Sequence, residues 1–313
     1  MTLSFVAFLA ILSLVGLPKS DLPPEKGVTP VKIAQVPGYS EGVVIDREGT
    51  IFISDTLNGT VYRVAKNGAT SVWAKTGAPN GHKILADGTH LVCDGSQRAV
   101  LRLDAKGAVI GKASSECEGR PLRSPNDLTL DPKGGFYFTD PGGSDEKNPI
   151  GTVHYVDAKG TTHLVADGLA FPNGIILRPD GKSLLVGESG HNRILELPVL
   201  APGKVGERRV FAALPERQGE QIANAPDGMC LDEDGNLFVA HYGMRRVQVL
   251  DRSGKLLRSY PSGNLTTSNV AFGGPRMDQL YVTGALAEER TSPGALWRLD
   301  LKGVRGLKVL PSR

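Results

Sequence analysis

Residues 227–241 read DGMCLDEDGNLFVAH. A polar residue opens the stretch, a short apolar run follows, Asp234-Gly235 makes a turn, and a second apolar run ends on a polar residue. Two apolar runs around an Asp-Gly tip are the signature of an antiparallel hairpin. The same order recurs along the chain: EGVVIDREGTIFISD at 41–55, NGHKILADGTHLVCD at 80–94, NDLTLDPKGGFYFTD at 126–140, NGIILRPDGKSLLVGE at 173–188 and, more loosely, NVAFGGPRMDQLYVTG at 269–284. The opening residues lie 39, 46, 47, 54 and 42 positions apart, around the blade period of a β-propeller. Within each unit the two ends stay 14 or 15 residues apart, so a fixed hairpin is joined by variable outer loops. Glu48-Gly49, Asp87-Gly88, Gly134-Gly135 and Asp180-Gly181 fall at the tips of the other units.

Third strands follow the hairpins: TVYRV (60–64), AVLRLD (99–104), TVHYVD (152–157), RILEL (193–197), RVQVLD (246–251) and ALWRLD (295–300). Several units carry a fourth. The pattern predicts an all-β chain, a six-bladed β-propeller with four-stranded antiparallel blades, as a single domain over 21–313. A sandwich or two β domains would explain 313 residues but not a six-fold repeat. The segment PVKIAQVP at 30–37 could supply the outer strand of the last blade. Residues 306–310 compete for that place, and the pattern leaves the choice open.

Composition agrees. Glycine makes up 39 residues without a G-X-Y period, and aromatics number only 9 Phe, 7 Tyr and 2 Trp, so the core is aliphatic. With 36 basic against 33 acidic residues, charge gives no case for nucleic acid. Residues 3–17, LSFVAFLAILSLVGL, have the length of a signal-peptide core and are short for a membrane span. Residues 1–20 read as an export signal or N-terminal anchor of a periplasmic or extracellular protein. A buried first helix would instead leave the protein cytoplasmic. No membrane insertion beyond such an anchor is expected. Cys93 and Cys230 sit in apolar runs and read as small buried hydrophobes, whereas Cys117 lies in a polar loop. Three cysteines without close spacing give neither a disulfide framework nor a zinc site.

In a propeller the first strand of each blade lines the central channel. Glu41, Asn80, Asn126, Asn173, Asp227 and Asn269 therefore converge on one mouth. The far ends of the hairpins add Asp55, Asp94, Asp140, Glu188 and His241 around the rim, where the aspartates are expected to cap loop amides. Carboxylate and amide oxygens suit a hard cation, Ca²⁺ before Mg²⁺ or Mn²⁺. Zn²⁺ would draw on His82 or His241. His241, beside Asp227, is expected to contact substrate, while His154 and His163 fall on outer strands or loops. No G-x-S-x-G elbow, P-loop or G-x-G-x-x-G is present.

The strings EGVVID, SPNDLTLDPKGGFYFTDP, FPNGIILRPDGKSLLV, APDGMCLDEDGNLFVA and TTSNVAFGGPRMDQLYVT, in this order, resemble the gluconolactonase/regucalcin-like family, also called the SGL family. The resemblance runs from about Lys26 to the C-terminus. It implies a six-bladed propeller with a divalent cation, often Ca²⁺, in its channel, and lactone hydrolysis as the activity. It implies Glu41, Asn173 and Asp227 as metal ligands, Asn126 as a further ligand or substrate contact, and Asp227 as general base. Regucalcin-type members carry an arginine two residues before Asn126. Here that place is Ser124, with Arg120 and Arg123 near by, and the loops 142–150 and 198–207 are expected to shape the pocket instead.

Two functions follow as expectations. The first is a metal-dependent hydrolase that opens a small-molecule lactone or ester, most simply a sugar lactone, with the cation polarising the carbonyl. Asp227 would serve as base or orient the attacking water. The second is a non-catalytic propeller that binds a ligand or protein around a structural ion.

Overall fold

The computed structural model describes residues 21–288 and 291–308. The apolar run 3–17 lies outside them, as do residues 309–313. Among the described residues, helix is confined to the 3₁₀ turns Glu25–Gly27 and Ser189–His191, and none is long and apolar enough to cross a membrane.

Six antiparallel sheets follow one another around the ring. Blade 1 holds Ser40–Ile45, Ile51–Asp55, Thr60–Val64 and Thr70–Lys75, and blade 2 holds Pro79–Ile84, His90–Asp94, Ala99–Leu103 and Val109–Ser114. Blade 3 runs through Leu128–Leu130, Phe136–Asp140, Gly151–Val156 and Thr162–Leu169. Blade 4 holds Pro172–Leu177, Ser183–Glu188, Arg193–Ala201 and Arg209–Ala213, with Lys204–Val205 added at its edge. Blade 5 comprises Ala225–Leu231, Leu237–Tyr242, Arg246–Leu250 and Leu256–Pro261. Blade 6 takes Thr266–Gly273, Gln279–Ala285 and Gly294–Asp300 from the C-terminal side and Val31–Val36 from the N-terminal side.

The ring is closed by the early segment, which decides between the two alternatives that the sequence leaves open. Val31 pairs with Arg298 and Val36 with Gly294. Of the competing C-terminal residues, Gly306 makes only an isolated bridge to Asp232. The tip glycines have the conformation the hairpins require: Gly49 lies at φ +81° and Gly235 at +78°, a region costly for residues with a Cβ.

The core is divided rather than central. Among the described residues, a separate apolar cluster fills the seam between each pair of neighbouring blades. The closing seam packs Ala34, Val36 and Leu296 of blade 6 against Val43, Ile51 and Ile53 of blade 1. Cys93 and Cys230 are buried in these seams, as expected. Cys117 is also buried, on a short strand pair beside Thr162, although its surrounding sequence is polar.

Around the channel the blades touch through backbone. Gly81 N–H donates to Asn126 O at 2.8 Å. Ser54 Oγ donates to Asn80 O, Thr139 Oγ1 to Asn173 O, and Ser268 Oγ to Ser40 O across the closing seam. The glycine that follows Glu41, Asn80, Asn173 and Asp227 exists for this approach. A Cβ at Gly42 would strike Asn80 O, one at Gly174 would strike Asp227 O, and one at Gly228 would strike the Asn269 side chain. Their role is to admit the next blade's inner strand, not to leave space for an ion. Replacing Gly174 by alanine should therefore cost about 1–3 kcal/mol, the usual range for forced overpacking. Gly111→Ala, where an added Cβ meets nothing within 4 Å, should be near neutral. Urea unfolding of the two variants checks this, and equal stabilities would contradict it.

Candidate active site

The mouth residues are aimed by a repeated irregularity. Inner-strand pairing gains one extra residue between Glu41 and Val43, Pro79 and His82, Pro172 and Ile175, Pro226 and Met229, and Thr267 and Asn269. In blade 3, Thr139 bonds to both Asn126 and Asp127 by backbone. A bulge of this kind turns a side chain out of the alternating pattern. Here it points polar groups into the channel.

Glu41, Asn80, Asn126, Asn173 and Asp227 line one cavity of about 580 Å³. Its walls add Tyr39, Leu57, Phe171 and Tyr242. A smaller depression of about 370 Å³ around Glu48, Arg63 and Lys66 holds none of the mouth residues. Ser144 and Asp145 from the loop 142–150 reach the cavity, but no residue of 198–207 does. Ser124, Arg120 and Arg123 are absent from the wall, and Arg123 bonds instead to Ile150 O. Asn269 stands behind the wall and bonds to the Glu41 carboxyl.

Burial pushes the Glu41 carboxyl well above the usual range, and the charges of Asp227 and Asp127 raise it further. Asp227 is raised in the same way, by burial first and then by Asp127. The Gly228 N–H and the Asn173 side chain partly offset this at Asp227. Two oxygens remain without a hydrogen-bond partner although buried: Glu41 Oε2 and Asn173 Oδ1. Unpaired buried acceptors beside crowded carboxyls are costly. A hard cation would satisfy both, so Glu41, Asn173 and Asp227 are the residues that could hold one. Among the described residues no three His, Cys, Asp or Glu side chains gather to hold a metal, so the Asn173 amide is needed as the third donor.

The rim residues have a different task. Asp55 accepts from Gly38 N–H at 3.0 Å, Asp94 from Gly77 N–H at 2.7 Å, and Asp140 from Arg123 N–H at 2.8 Å. Glu188 accepts from Ala170 N–H at 2.9 Å. Each rim acid thereby ties down the loop that enters its own blade. His241 holds the matching register position in blade 5, opposite Pro226. It is fully buried, 2.9 Å from Asn192 Oδ1 and 3.1 Å from Gln248 Nε2, and does not reach the cavity. The expected substrate contact is thus corrected to a loop anchor. His82 likewise faces His90, at 2.7 Å, in an aromatic cluster with Phe52 and Trp73. His154 is buried in blade 3 and His163 is bonded to Asp157.

The sequence reading missed Tyr39, Tyr242 and Asp127. Burial and the charges of Glu41 and Asp227 hold the Tyr39 phenol protonated, and it bonds to the Thr266 side chain. Each of the three lies within two positions of a residue marked by the repeat, and that adjacency is the signal that could have found them.

A sequence profile of the SMP-30/Gluconolactonase/LRE-like region matches residues 39–286. The chain belongs to this family. Among its relatives, a protein named lactonase drp35 from Staphylococcus epidermidis is 31% identical over 244 residues, 75% of this chain and 71% of that one. A lactonase drp35 from Staphylococcus saprophyticus is 30% identical over 282 residues, covering 84% and 82% of the two chains. The solved structure of a gluconolactonase from Xanthomonas campestris superposes with a TM-score of 0.75 at 27% identity, over 88% of this chain and 90% of that one. The family match spans blades 1 to 5, the two inner strands of blade 6 and all five mouth residues of the cavity.

Burial lowers the pKa of His241 to about 4, against about 6.5 in an unfolded chain. Between these values the unfolded chain takes up a proton that the fold excludes, so this contribution is full above pH 6.5 and falls as the pH falls. The stability penalty of His241→Gln should therefore be largest at pH 7 and shrink toward pH 4, as read by urea unfolding at both. A penalty that grows on acidification would mean the ring is charged in the fold.

Proposed function

We propose that the protein is a cation-dependent hydrolase that opens a lactone to its hydroxy acid. The observation that carries this is the meeting of Glu41, Asn126, Asn173 and Asp227 on one cavity that leaves two buried oxygens unpaired. Relatives named as lactonases support the choice of substrate. Glu41, Asn173 and Asp227 would hold the ion, Ca²⁺ by donor chemistry. A bound cation there supplies Lewis-acid polarisation of a carbonyl.

The chain's own groups do the rest. Asp227 takes the proton of the attacking water as water adds to the acyl carbon, and returns it to the ring oxygen as the ring C–O bond breaks, which leaves the carboxylate free and the product a hydroxy acid. Burial raises the proton affinity of this carboxylate, and a cation held beside it would lower that affinity again, so Asp227 acts as base or orients the attacking water. The Asn126 amide holds the ring oxygen or a hydroxyl of the substrate. The Tyr39 phenol stays protonated and serves as a neutral donor. Leu57, Phe171 and Tyr242 supply an apolar wall that limits water around the reacting ester.

The test is a panel of aliphatic, sugar and aryl lactones, assayed with Ca²⁺ and with Mn²⁺ after chelation. Wild type should turn over at least one class, Asp227→Asn should lose about 10²–10⁴-fold in kcat, and Glu41→Gln should need far more cation for activity. No hydrolysis of any lactone with either ion would end the proposal. If chelation then lowered Tm sharply, the ion would be structural and the chain a binding propeller.

A further inference from the structure

One charged pair in the channel takes no part in the reaction above. Asp127 follows Asn126 in blade 3 and is 2% exposed. Its Oδ1 accepts from Leu128 N–H at 2.8 Å. Lys83 Nζ, from the inner strand of blade 2, stands 3.8 Å from the same oxygen, with its side chain only 16% exposed. A lysine whose side chain is only 16% exposed has lost much of its hydration, which is costly unless the charge is paired. Its position beside an acid whose charge reaches both Glu41 and Asp227 needs a reason.

Charge supplies one. Glu41, Asp227 and Asp127 carry three carboxylates, and Lys83 carries one ammonium. The remainder is two negative charges, which one divalent ion balances. Without Lys83 this inner group of Glu41, Asp227 and Asp127 would hold three, and Asp127 would be a buried acid without its cationic partner. We infer that Lys83 is a built-in counter-ion, fixed in the channel beside Asp127, that holds this channel to a single divalent cation. The inference rests on the cation reading of the site and adds to it the residue that keeps the site at one ion.

The geometry favours a permanent role. Lys83 is tethered in its strand by pairing with Leu91, so its reach is fixed from one side of the ring. Asp127 is pinned by the Leu128 N–H and by the close approach of Gly81, where an added Cβ would meet its Oδ1. Neither partner lines the cavity, so substrate has no direct access to the pair. Its effect on the site is electrostatic.

Ion counting tests this without an activity assay. The full chain is stripped with chelator, titrated calorimetrically with Ca²⁺ and with Mn²⁺, and analysed for metal after dialysis. Wild type and Lys83→Arg should each bind one ion. Lys83→Met should take up more cation, as a second ion or as at least tenfold tighter binding of the first. Lys83→Met combined with Asp127→Asn removes both charges and should return to one ion at near wild-type affinity. One ion bound by Lys83→Met within threefold of wild-type affinity overturns the inference, as do two ions in wild type. If stripped Lys83→Met unfolds, protein purified throughout in Ca²⁺ gives the count. Failure to fold there, while the double variant folds, also overturns it. A wild type that binds no ion contradicts the cation reading itself, which is a separate result.

Discussion

The inner strands of this propeller approach one another so closely that a Cβ does not fit at Gly42, Gly174 or Gly228. That contact fixes the rest. It lets backbone and hydroxyl hydrogen bonds join neighbouring blades, as from Gly81 to Asn126 and from Thr139 to Asn173. It also brings the residue before each glycine to the channel mouth, where a one-residue bulge turns it inward. Glu41 and Asp227 come from distant parts of the chain, yet repetition of one local geometry gives them a common target. The site is a consequence of how the ring closes, and the closure through Val31–Val36 against Gly294–Asp300 is part of it.

Convergence has an electrostatic cost. Two carboxyls and two amides are buried together, and Glu41 Oε2 and Asn173 Oδ1 find no partner in the protein. Buried polar groups are usually satisfied, so a cluster of exceptions at the mouth of a cavity marks a place built for something the chain does not supply. The rim shows the contrast. Asp55, Asp94, Asp140 and Glu188 are equally buried carboxyl side chains, but each accepts a backbone N–H from a neighbouring loop. The rim acids build the mouth, and the inner ones face into it.

Much of this was legible in the sequence because it is periodic. The hairpin tips and the third strands follow from spacing and turn chemistry, and so does the meeting of Glu41, Asn126, Asn173 and Asp227, whereas spacing left 30–37 and 306–310 as equal candidates for closing the ring. What escaped was non-periodic. His241 stands at a register position beside the mouth, but the depth of its burial depends on Asn192 and Gln248, which no pattern links to it. Tyr39, Tyr242 and Asp127 sit one or two positions from marked residues, and a bulge decides which neighbour faces the cavity. The pairing of Lys83 with Asp127 joins two blades at a depth that spacing does not specify. Cys117 lies among polar residues and is buried by a strand pair too short to leave a pattern.

The account turns on three oxygen donors sharing one ion. Crystals of the protein soaked in Mn²⁺ and measured for anomalous scattering test it most directly. One strong peak within about 2.6 Å of carboxylate oxygens of Glu41 and Asp227 and of Asn173 Oδ1, the outer range for hard-cation ligands, is the predicted result. No peak in the channel, or a peak held by the rim acids instead, would contradict it.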